Sequence, residues 1–364
     1  MSRLLRVELR RLGARRLTWW ALAGLLAVAC LTAFSVYGSA RPPSAQEIAW
    51  AEDAYQQELE NWEETGEEQV AQCEEGAESE GATPEDWGCD DLAPRREWFL
   101  PPEPTFVRDE VDLGDASALE ALAEETGSST DPAVAAVNAS MWNGWETGTP
   151  KIATSALAVL AVVFVLGVSF VTAETSSGAL GMWLTFEPRR RRVFWSKAAA
   201  AGIGAVPLTA LGVAATVAAV YAVYAGFGTL GDLTASRWVE IAELGGRVVV
   251  AGAAFAMIGV ALGALFRNAA AAIGAGAVLA VLGVVASGVA DAAQRWNPAV
   301  NLTAWIEGGA VYSHPVCAPA ESGVVECPWV EEAVSQTQGG LYLLALTVVL
   351  LLVSVLVFRR RDVS

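Results

Sequence analysis

Residues 152–173 read IATSALAVLAVVFVLGVSFVTA, a run without Asp, Glu, Lys or Arg. A helix rises about 1.5 Å per residue, so about 20 apolar residues cross the roughly 30 Å hydrocarbon core of a bilayer. A soluble core helix seldom stays uncharged for that length. Five further runs have the same character: residues 17–39, 198–224, 248–266, 269–290 and 340–358. The first of these follows basic residues, as a signal peptide would. It is longer than the roughly 7–15 residues of a signal h-region and reads as a retained span. The fold class is therefore all-α: a polytopic membrane protein with six transmembrane helices.

Composition agrees. Hydrophobic residues make up 54% of the 364-residue chain and charged residues 18%, with a mean hydropathy of +0.39. A soluble domain carries nearer about a quarter charged residues, and disorder of the whole chain requires low hydrophobicity. The net charge of −18 is concentrated: residues 40–150 hold 28 Asp and Glu against 4 Lys and Arg, leaving +6 over the rest. Such a balance argues against a nucleic-acid partner. The chain is a mildly basic apolar body carrying one acidic insert.

Orientation follows from Lys and Arg in the short loops. Six spans place four segments on one side: Arg3 to Arg16, Arg189 to Lys197, Arg267, and Arg359 to Arg361, together 15 of the 23 basic residues. That side is expected to be the cytoplasm, with both termini inside a plasma membrane and the insert outside. The loops 225–247 and 291–339 fall outside as well. The expected organisation is a cytoplasmic helix at 1–16, transmembrane helix one at 17–39, an acidic extracytoplasmic insert at 40–150 and a five-helix membrane domain at 151–364. Trp19, Trp20, Trp142 and Trp145 suit interfacial belts or plain packing.

Within the insert, Ile48, Tyr55, Leu59 and Trp62 recur at helical spacing over 44–72, residues 76–112 read as loop, and 116–126 reads as a short helix. Cys73, Cys89, Cys317 and Cys327 all fall on the outside, which suggests two disulfides in an oxidising compartment. Three pairings are possible, and proximity favours Cys73 with Cys89 and Cys317 with Cys327. Zinc is the rival reading, with His314 near Cys317 as its weak support.

Little in the chain carries chemistry. His314 is the single histidine, and no Gly-x-Ser-x-Gly, His-Glu-x-x-His or Walker A pattern occurs. The reading is a non-enzyme without cofactor or metal. Ion-coupled transporters carry ionisable residues inside their spans, and these spans have none. A transporter built this way draws its energy from nucleotide hydrolysis in another chain. Its apolar spans lean toward a lipid-like or amphipathic cargo. Gly259 with Gly263 in span four, and Gly274, Gly276 and Gly283 in span five, suit close helix approach, within one chain rather than at a dimer face. Pro207 interrupts span three.

The segment after span two, residues 174–197, reads ETSSGALGMWLTFEPRRRRVFWSK. It opens on an acid at the membrane edge, continues as an amphipathic element and meets Pro188 and a basic cluster. In order and position, Glu174, Gly178, Leu180, Leu184, Pro188, Arg191 and Lys197 resemble the cytoplasmic stretch of ABC-2-type exporter permeases, and Arg189 stands where a small residue usually follows the Pro. The resemblance covers the membrane frame, not residues 40–150. It implies a coupling segment that docks on a separate ATP-binding subunit, with Trp183 and Phe186 pressed into the partner. It also implies a second permease subunit, as homo- or heterodimer, and an N-terminal helix on the inner leaflet. Arg3, Arg6 and Arg10 share one helical side and suit anionic headgroups. The expected function is the permease subunit of a bacterial ABC exporter. The alternative is a non-transporting six-span sensor or scaffold whose acidic insert binds an outside ligand.

Overall fold

The computed structural model describes residues 2–81, 83–84, 87–89, 92–101, 103–107, 148–179, 182, 185, 189–289, 294–316, 318–319, 325–327 and 329–360. They form two units, Met1–Ala40 with Thr105–Ser364, and Arg41–Pro104.

The first unit begins with α1 (Ser2–Ala14), separated by Arg15 from α2 (Arg16–Tyr37). The long apolar runs then form α5 (Gly148–Ser176), α6 (Arg190–Phe227), α7 (Ala235–Phe266) and α10 (Gln336–Arg360). With α2, these make five helices, among the described residues, that are long and apolar enough to cross a membrane. The expected fifth crossing falls on α8 (Ala269–Val289), whose described apolar stretch Ala269–Val281 is shorter than a crossing. At about 1.5 Å per residue, the 38 residues of α6 reach about 57 Å. That exceeds the hydrocarbon thickness, so its basic first turns extend beyond the apolar part. Pro207 lies in the interior of the same helix.

Small residues bring these helices together. A Cβ on Gly259 would stand 2.4 Å from Phe164 O, one on Gly263 2.8 Å from Val168 O, and one on Gly167 2.2 Å from Ala256 O. The glycine pair of α7 therefore packs on α5 of the same chain, backbone against backbone. Around this contact lie Val163, Phe170, Val193, Ala256, Val260 and Leu351. Buried hydroxyls among the helices bond to backbone carbonyls: Thr209 Oγ1 donates to Ala205 O at 2.9 Å and Ser354 Oγ to Ala261 O at 2.9 Å.

Part of the acidic stretch groups with the helices and part forms a unit of its own. Thr105–Val107 belong with the helices: Phe106 N donates to Thr229 O at 3.0 Å, and its ring is buried with Val36, Val220 and Tyr224. Residues 41–104 make the second unit. Its α3 (Ala45–Glu80) is a single helix that runs past the expected 44–72. Ser44 caps it, accepting from Glu47 N while Glu47 accepts from Ser44 N. Gly81, at φ 76°, ends it in the left-handed conformation that glycine adopts without penalty. Cys73 is bonded to Cys89 with Cα atoms 5.7 Å apart. The short α4 (Arg96–Phe99) leans on α3 through Tyr55–Phe99, 5.7 Å between ring centroids, and Arg96–Glu52, 2.8 Å. Ala51, Ala77 and Cys89 are buried, while Trp50 and Trp98 are exposed. A helix this acidic gathers only a thin core. The expected helix at 116–126, and Trp142 and Trp145, lie outside the described residues.

The loop before α10 carries structure the apolar pattern did not signal. Asn297 caps α9 (Pro298–Glu307) by accepting from Ala299 N at 2.9 Å. Antiparallel strands β1 (Gly309–Pro315) and β4 (Trp329–Ser335) follow, with Tyr312 opposite Glu332, and enclose the short β2 (Ala318–Pro319) and β3 (Val325–Glu326). Cys327 is disulfide-bonded; Cys317 lies outside the described residues.

Candidate functional site

α1 is amphipathic, with Leu5, Leu9 and Leu12 on one stripe. This stripe packs on α6: Leu12 is buried, and its Cδ2 would lie 2.3 Å from a Cβ added to Gly204. Arg6 and Arg10 are exposed, away from this stripe, and the stripe itself rests on protein. The side chain of Arg3 is outside the described set.

Glu8 sits on the apolar stripe of α1 with a side-chain exposure of 1%. Its partner is Lys197 in the second turn of α6, exposed 3%, whose Nζ donates to both Glu8 oxygens at 3.1 Å. The same Nζ lies 2.6 Å from Glu174 Oε2. The other Glu174 oxygen, Oε1, is 2.5 Å from Nη2 of Arg15, the residue that joins α1 to α2. Arg15 Nη1 also donates to the carbonyls of Ser169 and Phe170, at 3.4 and 3.2 Å. The Phe170 ring lies against both cations, 4.9 Å from the Arg15 guanidinium carbon and 5.0 Å from Lys197 Nζ. Two acids and two bases from four segments thus form a neutral, largely buried quartet. Neutrality matters here, because an unpaired buried charge costs about 3–5 kcal/mol. Both cations also sit by the C-terminal end of α5, where the helix dipole favours positive charge.

α5 then stops. Ser177 Oγ donates to Ala173 O at 2.8 Å and Thr175 Oγ1 to Thr172 O at 2.8 Å, satisfying carbonyls of the last turn. Gly178, exposed at φ 69°, supplies the left-handed turn. Ala179, Met182 and Thr185 are helical, and Met182 N donates to Gly178 O at 3.4 Å. Met182 is exposed to 68%. Leu180, Trp183, Leu184, Phe186 and Pro188 lie outside the described residues. Arg191 is exposed on the first turn of α6. A cleft of about 660 Å³ opens beside the quartet, lined by Arg11, Arg15, Glu174, Ser177, Ala179 and Met182. A separate groove of about 530 Å³ between α6 and α7 is lined by Val213, Val217, Tyr221, Trp238, Ile241 and Val249, with little polar surface to do chemistry. Among the described residues no cluster of His, Cys, Asp or Glu is arranged to hold a metal ion.

Of the residues expected to form one coupling site, Glu174 and Lys197 meet, whereas Gly178 and Arg191 stay at the surface. Glu8 and Arg15 escaped the motif-based reading. A signal was available: Glu8 is the sole acid in residues 1–46, and it falls on the leucine stripe. A charge there needs a buried partner.

The family description ABC-2 family transporter protein matches residues 4–363. The chain belongs to this family. It is a multi-pass ABC transporter permease, the membrane transport component. No curated protein and no solved structure matches the permease. The match spans the membrane helices and both sides of the acidic unit, so the quartet lies within the family frame.

Proposed function

We propose that this permease is the membrane subunit of an exporter driven by a separate ATP-binding subunit. That subunit docks on residues 174–197, and the permease works as a pair with a second copy or a homologous chain. The chain crosses the membrane six times with both termini in the cytoplasm, and residues 41–104 stand outside. Family membership favours transport over the scaffold alternative. The observation that carries the reading is the segment after α5. Its start is ion-paired through the buried carboxylate of Glu174, and it then presents an exposed apolar side chain, Met182, in helical conformation. An exposed apolar side chain beside a basic, solvated surface suits a partner groove. Trp183 and Phe186 follow Met182 in the sequence as further apolar residues.

The test is co-purification of an ATPase with the tagged permease and its stimulation in proteoliposomes. Trp183→Ala with Phe186→Ala is expected to weaken assembly by about 2 kcal/mol or more, as truncation of interface anchors does, with membrane insertion intact. Wild-type assembly in that variant would refute docking on this segment.

A further inference from the structure

Hydrophobic packing holds α1 against α6, but such packing is non-directional and does not select a register. The ionic contacts do. Lys197 has three N–H donors; two face the Glu8 oxygens, and Glu174 Oε2 lies 2.6 Å from the same nitrogen. Arg15 uses the fork of its guanidinium, one arm on α5 carbonyls and the other on Glu174 Oε1. Each oxygen of Glu174 is therefore paired with a different cation: Oε1 accepts a hydrogen bond from Arg15 at the α1–α2 junction, and Oε2 makes an ion-pair contact with Lys197 on α6. The carboxylate sits four residues before Gly178, where the chain turns into the segment beyond α5.

We infer that Glu8, Arg15 and Lys197 are positioning residues for residues 175–179, the start of the segment after α5: through Glu174 they make α1 part of the path between that start and the spans. The consequence for ATPase coupling rests on the proposed function; the positional tie does not. Burying four charges is no efficient way to gain stability, since apolar residues of similar volume often do as well. What the quartet provides is fixed geometry among four segments. A displacement of the segment must carry α1 with it or break the contacts to Glu174.

The test uses the full chain in lipid nanodiscs on a Cys30→Ser background, with spin labels on Ala14→Cys and Ser177→Cys, which line the same cleft. Glu8→Gln with Lys197→Met removes one acid and one base, so the remaining Arg15–Glu174 pair stays balanced. The distance distribution between the labels is expected to be narrow in the parent and at least twofold broader in this variant. Lys197→Arg, which keeps the charge, should stay close to the parent. Glu8→Asp preserves neutrality and shortens the reach by one methylene; its milder broadening decides the matter should the double variant not fold. An unchanged distribution overturns the tie. In proteoliposomes with the co-purified ATPase, the double variant should lose about tenfold in stimulation while the complex still forms. Broadened distances with parental stimulation overturn the coupling role and leave a structural brace. If the parent chain brings down no ATPase, the proposed function fails, and the label distances alone decide the tie.

Discussion

Tyr312 on β1 donates its hydroxyl hydrogen to Glu332 on β4, its partner in register. Burial first, and the Glu332 carboxylate second, push the Tyr312 pKa from 10.0 up to about 12. The folded hairpin thus favours the protonated phenol. That stability is fully present below pH 10 and is lost as pH rises through about 12. Difference absorbance at the phenolate band, parent minus Tyr312→Phe, should show a step near pH 12. Glu332→Gln should lower the step only part of the way, because burial remains. A step at the ordinary tyrosine value in the parent would refute this account of the hairpin. Glu47, by contrast, is exposed; the Ser44 hydroxyl and backbone hydrogen bonds lower its pKa, and the capping box weakens as pH falls through that lowered value.

At the scale of elements, α5 and α7 approach as closely as glycine permits. Gly259→Ala would place a Cβ 2.4 Å from Phe164 O and 2.8 Å from Val168 N, atoms of a helix backbone that cannot step aside. We expect a loss of about 1–3 kcal/mol, read as a lower melting temperature in detergent. Gly274→Ala on α8 meets nothing within 4 Å and should be neutral or mildly stabilising, given the better helix propensity of Ala. In the acidic unit the thin core makes the crosslink important. Cys73 and Cys89 are 16 residues apart, and removing the bond should cost about 3 kcal/mol in the chain-entropy account. Limited proteolysis should then cut residues 41–104 first in Cys73→Ser with Cys89→Ser, with the membrane helices still protected. Equal resistance of parent and variant would show that α3 and α4 hold together without it.

For the whole molecule, topology gives the sharpest expectation. On a Cys30→Ser background, Glu67→Cys in α3 should react with an impermeant thiol reagent in intact cells, and Arg359→Cys at the end of α10 should react only after permeabilisation. Labelling of Arg359→Cys in intact cells would overturn the orientation. The apolar runs, the acidic insert and the order of Glu174, Gly178 and Lys197 were legible in the chain alone. Lipid demands about 20 uncharged residues per crossing, and that demand is written locally. The end of α3 was less legible, because the apolar spacing from Ile48 to Trp62 stops well before it, while the helix continues with Ala77 buried until Gly81 permits the turn. The hairpin of β1 and β4 was hidden as well, since strand pairing joins residues far apart. Only the tertiary structure placed Thr105–Val107 with the spans and seated Gly259 and Gly263 on α5. It alone joined Glu8 to Lys197 across 189 positions and Arg15 to Glu174 across 159. The sequence by itself shows that a charge on an apolar face needs a partner. Which partner it finds depends on how four segments converge, and that is set by packing rather than by any local pattern.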